Sequence, residues 1–334
     1  MKAFEIREFG IENLTLVERD EPRPAADQVL VKFRAASLNY RDLLVVKGFY
    51  NPKMQLPRVP FSDGAGEIVA IGENVTRWRV GDRVTPGFMP QWTGGSYRAE
   101  YQKTALGGDV DGVLREYGAF PETGVVKIAD HLSFEEAATL PCAGVTAWNA
   151  LVNSGNLMAG ETVLTQGTGG VSVFAVQFAR VHGARIIATS SSDEKLAKIQ
   201  NLGAAETINY KTDPDWDKTV FELTEKVGVD HIVEVGGAGT LAKSLKAVRP
   251  GGHIALIGVL SGAGEINPMP ILMKGIRLHG IYVGSIEMFE AMNRAIAQNQ
   301  IKPVIDRVFS FEETRDALKL MESAQHFGKI VVKF

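Results

Sequence analysis

A glycine-rich stretch in the middle of the chain has the residue types of a phosphate-binding turn. Residues 167–172 read GTGGVS, which matches the first two glycines of the Gly-x-Gly-x-x-Gly dinucleotide fingerprint and has Ser172 in place of the third. The third glycine of that pattern allows a helix to pack closely on a strand, and serine is small enough for that role. A glycine turn without a ligand is the less favoured alternative. The residues expected to bind a dinucleotide here are Gly167, Thr168, Gly169, Gly170 and Val171.

The end of the next predicted strand bears on which nicotinamide nucleotide binds. NAD sites place an acid there, about 20 residues after the glycine turn, to bind the ribose 2′-hydroxyl. In this chain the position is Ser190, and Ser191 and Lys195 follow. Two hydroxyls and an ammonium suit a 2′-phosphate better, so NADP is predicted. Asp193 complicates the prediction of NADP, because it is an acid close to this position. Its alternative role is structural: an acid in the first turn of a helix faces the helix dipole, and Ser191 and Glu194 would form the capping box of that helix.

Alternating strands and helices are needed to position this turn, and the chain has that alternation after about residue 130. It indicates a doubly wound Rossmann domain, in which helices cover both faces of a parallel sheet. The predicted strands are 162–166, 185–189, 207–209, 231–235 and 253–257, and the predicted helices are 171–181, 194–202 and 240–248.

The part before residue 128 has a different pattern. Short segments of strand composition at 28–35, 65–71, 82–85 and 124–128 alternate with turn signals, which is typical of a small barrel or sandwich. A last strand at 329–332 is expected to return to this domain. We therefore predict a β-rich domain of residues 1–128, completed by 271–334, and a nucleotide-binding domain of residues 129–270.

The composition excludes several other classes of function. The 334 residues include 36 basic and 39 acidic side chains, for a net charge of -3, so there is no electrostatic basis for binding nucleic acid or an anionic membrane. No apolar run approaches the roughly 18 residues of a membrane span, and the N-terminal residues MKAFEIREFG lack the apolar stretch of a signal peptide. A cytoplasmic protein that acts on a small-molecule substrate is expected. One cysteine, Cys142, permits no internal disulfide.

Motifs along the whole chain resemble the medium-chain dehydrogenase/reductase superfamily. The resemblance is strongest to its zinc-free quinone oxidoreductase and enoyl reductase branch, and it extends to proteins labelled zinc-type alcohol dehydrogenase. It implies an α/β fold with a GroES-like β-rich catalytic domain and a doubly wound Rossmann sheet. The matching segments are 37-SLNYRDLLVVKG-48, 61-FSDGAGEIVAIGENV-75, 80-VGDRV-84, 140-LPCAGVTAW-148, the glycine turn, 228-GVDHIVEVGG-237, 249-RPGGHIALIG-258 and 328-GKIVVK-333.

The same resemblance predicts that no metal is bound. Zinc alcohol dehydrogenases of the superfamily hold catalytic zinc with a cysteine, a histidine and a second cysteine, and the matching positions here are Asn39, Ser62 and Cys142. Asparagine and serine are poor zinc ligands compared with thiolate and imidazole. The four-cysteine structural lobe is also absent, because the chain has no other cysteine.

Without a metal, hydrogen-bond donors must stabilise the charge that develops on the substrate oxygen during hydride transfer. The resemblance places Asn39 at the nicotinamide end of the cofactor and Tyr40 at the proton-relay position of the zinc enzymes, so both are candidate catalytic residues. Tyr40 has an alternative role as an aromatic cover for the end of the β-rich domain. Arg41 is expected to meet phosphate or to pair with Asp42, without a catalytic role. The other residues implied in cofactor binding are Thr146, Tyr210, Gly236, Gly258, Val259, Val283 and Lys329.

The predicted function is that of a zinc-independent, NADPH-dependent reductase that transfers hydride to a quinone, an enone or enal, or a similar electrophile. One alternative is an alcohol or aldehyde oxidoreductase of the same superfamily. The other is a catalytically idle NADPH-binding sensor or structural protein. Residues 276–284 resemble the family's edge strand at which two Rossmann sheets join, so a homodimer is expected. Phe88, Trp92 and Tyr97 either line a substrate pocket or cover the β-rich domain.

Overall fold

The computed structural model describes residues 1–258, 260, 262 and 264–334. Their contacts divide the chain into two compact units, Met1–Val145 with Gly284–Phe334, and Thr146–Val283. These boundaries differ from the predicted ones at 128 and 270. The short helix after residue 133 packs on strands of the first unit, and the strand that begins at Arg277 pairs within the sheet of the second. None of the described helices has both the length and the apolar character needed to span a bilayer.

The strands in the described residues are β1 (Lys2–Ile6), β2 (Leu14–Glu18), β3 (Gln28–Ser37), β4 (Asp63–Ile71), β5 (Arg83–Pro86), β6 (Tyr117–Pro121), β7 (Val125–Lys127), β8 (Thr162–Gln166), β9 (Arg185–Ser190), β10 (Glu206–Asn209), β11 (Val229–Glu234), β12 (Val248–Leu256), β13 (Arg277–Gly280), β14 (Ile305–Ser310) and β15 (Lys329–Lys333).

The α-helices of the same residues are α1 (Tyr40–Val46), α2 (Ala99–Gln102), α3 (Phe134–Ala137), α4 (Val145–Trp148), α5 (Gly170–Val181), α6 (Asp193–Leu202), α7 (Trp216–Leu223), α8 (Ala238–Ala247), α9 (Met269–Lys274), α10 (Ile286–Asn299) and α11 (Thr314–Glu322). Short 3₁₀ segments lie at Glu122–Gly124 and Phe311–Glu313, and π-helical turns flank α4 at Leu140–Gly144 and Asn149–Asn153.

The first unit is built on a mainly antiparallel sheet. Among the described residues its strand order is β14-β15-β3-β4-β5-β7, β6 also pairs with β3, and β1 pairs with β2 in a separate ribbon. The last strand, β15, lies between β14 and β3, so the end of the chain joins the sheet of this unit. Phe33, Phe61 and Phe311 belong to the apolar core of the unit. Ser133 and Glu136 form a capping box at the start of α3.

The second unit is a parallel sheet with the order β10-β9-β8-β11-β12-β13 in the described part of the chain. The chain runs outward from β8 to β10 and then returns to β11, which pairs with β8 on its other side. The strand order therefore reverses between β8 and β11. In open α/β sheets, ligands bind beyond the carboxyl ends of the strands at such a switch point. The Rossmann-like fold predicted from the alternation of elements is confirmed.

Candidate functional site

The glycine turn lies at the carboxyl end of β8 and opens the twelve-residue helix α5. Gly167 has a φ of 68°, in the left-handed region that favours glycine, and its N–H donates to the carbonyl of Thr189 at 2.7 Å. Gly169 is the N-cap of the helix. A Cβ atom built on either glycine would meet nothing within 4 Å. The backbone of the turn is thus open to a ligand, and the free N–H groups of the helix start suit a phosphate.

Ser172, at the position of the missing third glycine, does more than fill the space of a small residue. Its side chain is buried, and its hydroxyl donates to the carbonyl of Gln166 at 2.6 Å. The hydrogen bond ties the first turn of α5 to the last residue of β8. The serine therefore holds the glycine turn closed at its base, which a glycine could not do.

The end of β9 carries the residues predicted to select the nucleotide. Ser190 is the last residue of the strand and is buried, and its carbonyl accepts from the N–H of Tyr210 at 3.0 Å. The Tyr210 side chain is 41% exposed. Ser190 and Tyr210, both predicted to bind the cofactor, thus lie together at the ends of neighbouring strands.

The capping box predicted between Ser191 and Glu194 is wrong by one residue. The N-cap of α6 is Ser192, whose hydroxyl accepts from the N–H of Lys195 at 3.4 Å. Asp193 is in the first turn of the helix, and its carboxylate accepts from the Asn209 side chain at 2.6 Å. The Asp193 carboxylate thus has a structural partner at the start of α6, which agrees with the structural alternative for this acid.

Three further predicted residues lie near other strand ends of the second unit. Gly258 donates its N–H to the carbonyl of Glu234 at 3.2 Å, and a Cβ atom on Gly258 would lie 1.8 Å from the carbonyl oxygen of Val235. Gly236 follows β11. Val283 has a φ of 55°, unusual for a β-branched residue, and its carbonyl accepts from the Asn149 side chain at 2.7 Å. Thr146 is buried within α4, and Val259 lies outside the described residues.

A second polar site lies in the first unit, where Lys329 is buried next to Asn39. The Lys329 ammonium donates to the carbonyl of Leu38 and to Oδ1 of Asn39, both at 2.6 Å. Nδ2 of Asn39 donates to the Ser62 hydroxyl at 3.3 Å, which in turn donates to the Asp63 carboxylate at 2.7 Å. Lys329 Nζ lies 4.0 Å from Oδ2 of Asp63. We call Asn39, Ser62, Asp63 and Lys329 the buried polar cluster.

Burial shifts the pKa values of acidic groups in the buried polar cluster and next to it. Desolvation raises the pKa of Asp63 in spite of the nearby Lys329 ammonium. Desolvation also raises the pKa of Asp42 to about 7, against the attraction of the Arg41 guanidinium. Asp42 accepts the backbone N–H of Asn39 at 2.8 Å and thereby caps α1. Desolvation and the Asp63 carboxylate raise the pKa of the Cys142 thiol, so this sulfur stays protonated at neutral pH.

The donor set of the cluster does not fit zinc. The cysteine and histidine positions of the zinc enzymes are taken by an asparagine amide and a serine hydroxyl that bond to each other. The Lys329 ammonium supplies a positive charge that would repel a cation. Across residues 1–258, 260, 262 and 264–334, no group of three His, Cys, Asp or Glu side chains could hold a metal ion.

Arg41 and the aromatic residues have mainly structural contacts. The Arg41 guanidinium lies over the rings of Tyr50 and Phe88 at 5.0 and 4.7 Å and donates to the carbonyl of Leu106. It is 4.0 Å from Asp42, which agrees with the pairing alternative. Phe88 and Trp92 are buried, whereas Tyr97 is 41% and Tyr40 43% exposed. Tyr40 is thus accessible to a small molecule.

Sequence reasoning missed two acids in these sites, Asp63 and Glu234. Both are fully buried in strands. Glu234 follows the apolar pair Ile232 and Val233 and lies two residues before the first glycine of 236–237. An acid at the end of an apolar strand is itself a signal, because a buried charge requires hydrogen-bond donors around it.

Comparisons with known proteins agree with the fold of the two units. Residues 25–130 match the alcohol dehydrogenase GroES-like domain, and residues 170–298 match the zinc-binding dehydrogenase model. The chain is 42% identical over 332 residues to a zinc-type alcohol dehydrogenase-like protein of Schizosaccharomyces pombe, with 97% of this chain and 96% of the relative covered. The chain belongs to the medium-chain dehydrogenase/reductase superfamily.

Two other superfamily relatives carry different activities in their names. The chain is 31% identical to the quinone oxidoreductase of Mus musculus, covering 99% of this chain and 97% of that protein. It is also 34% identical to the solved structure of an NAD-dependent alcohol dehydrogenase, with a TM-score of 0.91 and complete coverage of both chains. The protein is accordingly an oxidoreductase of this superfamily, and the comparisons leave its substrate and its cofactor open.

Proposed function

We propose that the protein is a zinc-independent reductase that transfers hydride from NADPH to a small electrophile, a quinone or an α,β-unsaturated carbonyl compound. The observation that carries the proposal is the buried polar cluster. At two of the three positions that hold catalytic zinc in the superfamily's zinc enzymes it has an amide and a hydroxyl, and these bond to each other, to the Asp63 carboxylate and to the Lys329 ammonium. The quinone oxidoreductase relative supports the substrate class.

The cluster gives Asn39 a defined orientation. Its Oδ1 accepts from Lys329 and its Nδ2 donates to Ser62, so the amide cannot rotate without losing both hydrogen bonds. Bound NADPH would supply the hydride. Tyr40, the first residue of α1 and partly exposed, would donate a hydrogen bond to the substrate oxygen as negative charge develops there. Reduction also consumes one proton, which the Tyr40 hydroxyl or water would provide.

The glycine turn supports the dinucleotide, and the residues after β9 support its phosphorylated form. Ser190 and Ser191 offer hydroxyls and Lys195 a positive charge, with no acid at the position that binds a 2′-hydroxyl in NAD enzymes. Asp193 has a partner in Asn209. Cofactor binding is also proposed for Asn39, Thr146, Tyr210, Gly236, Gly258, Val283 and Lys329.

NADPH oxidation by a panel of quinones and enals, with and without a strong zinc chelator, tests the function. We expect turnover that the chelator leaves unchanged, and less than one zinc per ten chains by metal analysis. Activity that disappears with chelator and returns with zinc would overturn the zinc-free mechanism. Tight NADPH binding without turnover of any acceptor would instead support an idle NADPH-binding protein.

Comparing Lys195→Ala with wild type tests the nucleotide preference. We expect Lys195→Ala to weaken NADPH binding while leaving NADH binding unchanged. Lys198→Ala is the matched control, because it removes a positive charge from the same helix at a residue that pairs with Glu194 at 2.8 Å. An unchanged ratio of the two dissociation constants in Lys195→Ala would remove Lys195 from the argument.

An alcohol or aldehyde oxidoreductase is the second candidate, favoured by the NAD-dependent alcohol dehydrogenase relative. Product analysis separates the two activities. Reduction of an enone at its C=C bond leaves the carbonyl in place, whereas a carbonyl reductase yields an alcohol.

Homodimerisation is proposed from the edge of the parallel sheet. Within the described chain, β13 pairs only with β12, and the adjoining α9 exposes Met269, Leu272 and Met273 by 51%, 73% and 76%. A dimer mass is expected in light scattering at micromolar concentration, and Leu272→Glu should lower it. Met158→Glu is the control, since Met158 is 66% exposed elsewhere in the same unit. A wild-type monomer mass would contradict the dimer.

A further inference from the structure

Glu234 is the most heavily hydrogen-bonded carboxylate at the strand ends of the second unit. It is the last residue of β11 and is 0% exposed. Its Oε1 accepts from the backbone N–H groups of Gly236 and Gly237 at 2.9 and 3.0 Å and from the Thr240 hydroxyl at 2.5 Å. Its Oε2 accepts from Nε2 of Gln166 at 2.8 Å and from the Ser244 hydroxyl. All five donors are uncharged groups.

These donors come from both sides of the switch point in the sheet. Gln166 is the last residue of β8 and directly precedes Gly167 of the glycine turn. The register of β8 and β11 pairs Val233 with Thr165, so Glu234 and Gln166 are the next facing residues at the carboxyl ends. One oxygen of Glu234 therefore binds the 236–237 turn, and the other binds the strand that leads into the glycine turn.

We propose that Glu234 is a positioning residue of the cofactor site, whose buried carboxylate holds the 236–237 turn in register with the glycine turn at residues 167–170. The proposal rests on the proposed function in one respect, that a nicotinamide dinucleotide binds at these turns. Glu234 is too deeply buried to touch the cofactor. It acts through the backbone of the two turns, and so it affects every dinucleotide alike.

Removing the carboxylate leaves buried donors without a partner. A buried donor that loses its acceptor is costly, so the 236–237 turn, whose two N–H groups lose the Glu234 carboxylate, relaxes by moving. Glu234→Ala should therefore weaken binding of NADPH and NADH by a similar factor, roughly ten- to hundredfold, with their ratio unchanged. The unchanged ratio separates this effect from that of Lys195→Ala, which alters the ratio.

Glu234→Gln is the conservative variant. Its amide oxygen can still accept from Gly236, Gly237 and Thr240, while its amide nitrogen faces Gln166. Oε1 of Gln166 has no hydrogen-bond partner in the described structure, so this side chain can rotate its amide and accept from the new donor. We expect Glu234→Gln to bind both nucleotides within about threefold of wild type.

The experiment titrates NADPH and NADH into the full-length protein and measures dissociation constants by cofactor fluorescence, with thermal unfolding in parallel. Thr224→Ala is the structural control. The Thr224 hydroxyl accepts from the N–H of Gly228 at 3.0 Å, just before the opposite end of β11. Thr224→Ala should therefore lower the melting temperature without changing either dissociation constant. If Glu234→Ala does not fold, Gln166→Ala replaces it, because that change removes the link between the two turns from its other side.

Weaker binding of both nucleotides by Glu234→Ala, near-normal binding by Glu234→Gln and normal binding by Thr224→Ala would support the proposal. Two results would overturn it. In the first, Glu234→Ala loses thermal stability as Thr224→Ala does but keeps the wild-type dissociation constants. In the second, Glu234→Gln binds both nucleotides as weakly as Glu234→Ala does. If wild type binds neither nucleotide, the proposed function itself fails, which the first titration reveals before any variant is made.

Discussion

Replacing Lys329 with methionine isolates the charge at the centre of the buried polar cluster. Methionine has nearly the same length but carries no charge and donates no hydrogen bond. The change removes hydrogen bonds of 2.6 Å to Leu38 and to Asn39, and it removes the positive charge 4.0 Å from Asp63. Lys329 and Asp63 are 3% and 0% exposed, so water cannot replace these contacts.

The size of the effect follows from burial and distance. Two unit charges 4 Å apart attract by about 4 kcal/mol at an effective dielectric constant of 20, and removing one partner of a buried pair costs about 3–5 kcal/mol. Asp63 can limit the cost by taking up a proton, since desolvation already raises its pKa and the loss of Lys329 raises it further. We therefore expect Lys329→Met to lower the free energy of unfolding by about 3 kcal/mol at pH 8 and by less at pH 5.

Urea unfolding of wild type, Lys329→Met, Asp63→Asn and the double variant at both pH values measures this effect. The double variant has no unpaired charge, so it should be less destabilised than the sum of the single changes, by about 2 kcal/mol at pH 8. Ser62→Ala is the control, because it removes one hydrogen bond of Asp63 and leaves the charges in place. Strict additivity, or an effect of Lys329→Met that is the same at pH 5 and pH 8, would refute the idea that Lys329 neutralises Asp63.

Three other predictions concern the second unit. Gly169→Val should keep the wild-type melting temperature, because a Cβ there meets no atom within 4 Å, yet lose NADPH binding in the same titration; retained binding would place the dinucleotide elsewhere. Gly258→Ala should unfold at lower temperature, since its Cβ would lie 1.8 Å from the Val235 carbonyl oxygen; an unchanged melting temperature would contradict the close approach. Desolvation, aided by His231 and His279, lowers the pKa of His253 to about 3. The folded state therefore binds fewer protons than the unfolded state, and the free energy of unfolding should fall as the pH drops from about 6.5 towards 3. His253→Asn should reduce this fall, measured by urea unfolding at a series of pH values. An equal fall in the variant would assign the acid dependence to other groups.

Local pattern was enough to predict the parallel sheet. The strand Thr162–Gln166 and the start of its helix follow from β-branched composition, a glycine turn and an apolar helical face, all within twenty residues. Strands β1, β2, β6 and β14 of the first unit were not predicted. β1 and β2 are short strands of five residues that pair with each other. The other two have more distant partners: β14 pairs with β15, and β6 pairs with β3. Pairing of this kind is set by tertiary contacts that a local window does not contain.

The same distinction explains which parts of the site could be read from the chain. The glycine turn was predictable because its proposed function depends on consecutive backbone groups. The charges that hold the site were not, because each finds its partners far along the chain: Lys329 lies 290 residues from Asn39, and Glu234 lies 68 from Gln166. A resemblance assigned Lys329 to the cofactor and left Glu234 without a role, whereas the contacts give both the same kind of task. Each is a buried charge surrounded by polar groups, and each orients a neighbour, an amide in one unit and two glycine turns in the other. In this chain the proposed binding site is therefore specified as much by the buried charges behind it as by the residues proposed to face the ligand.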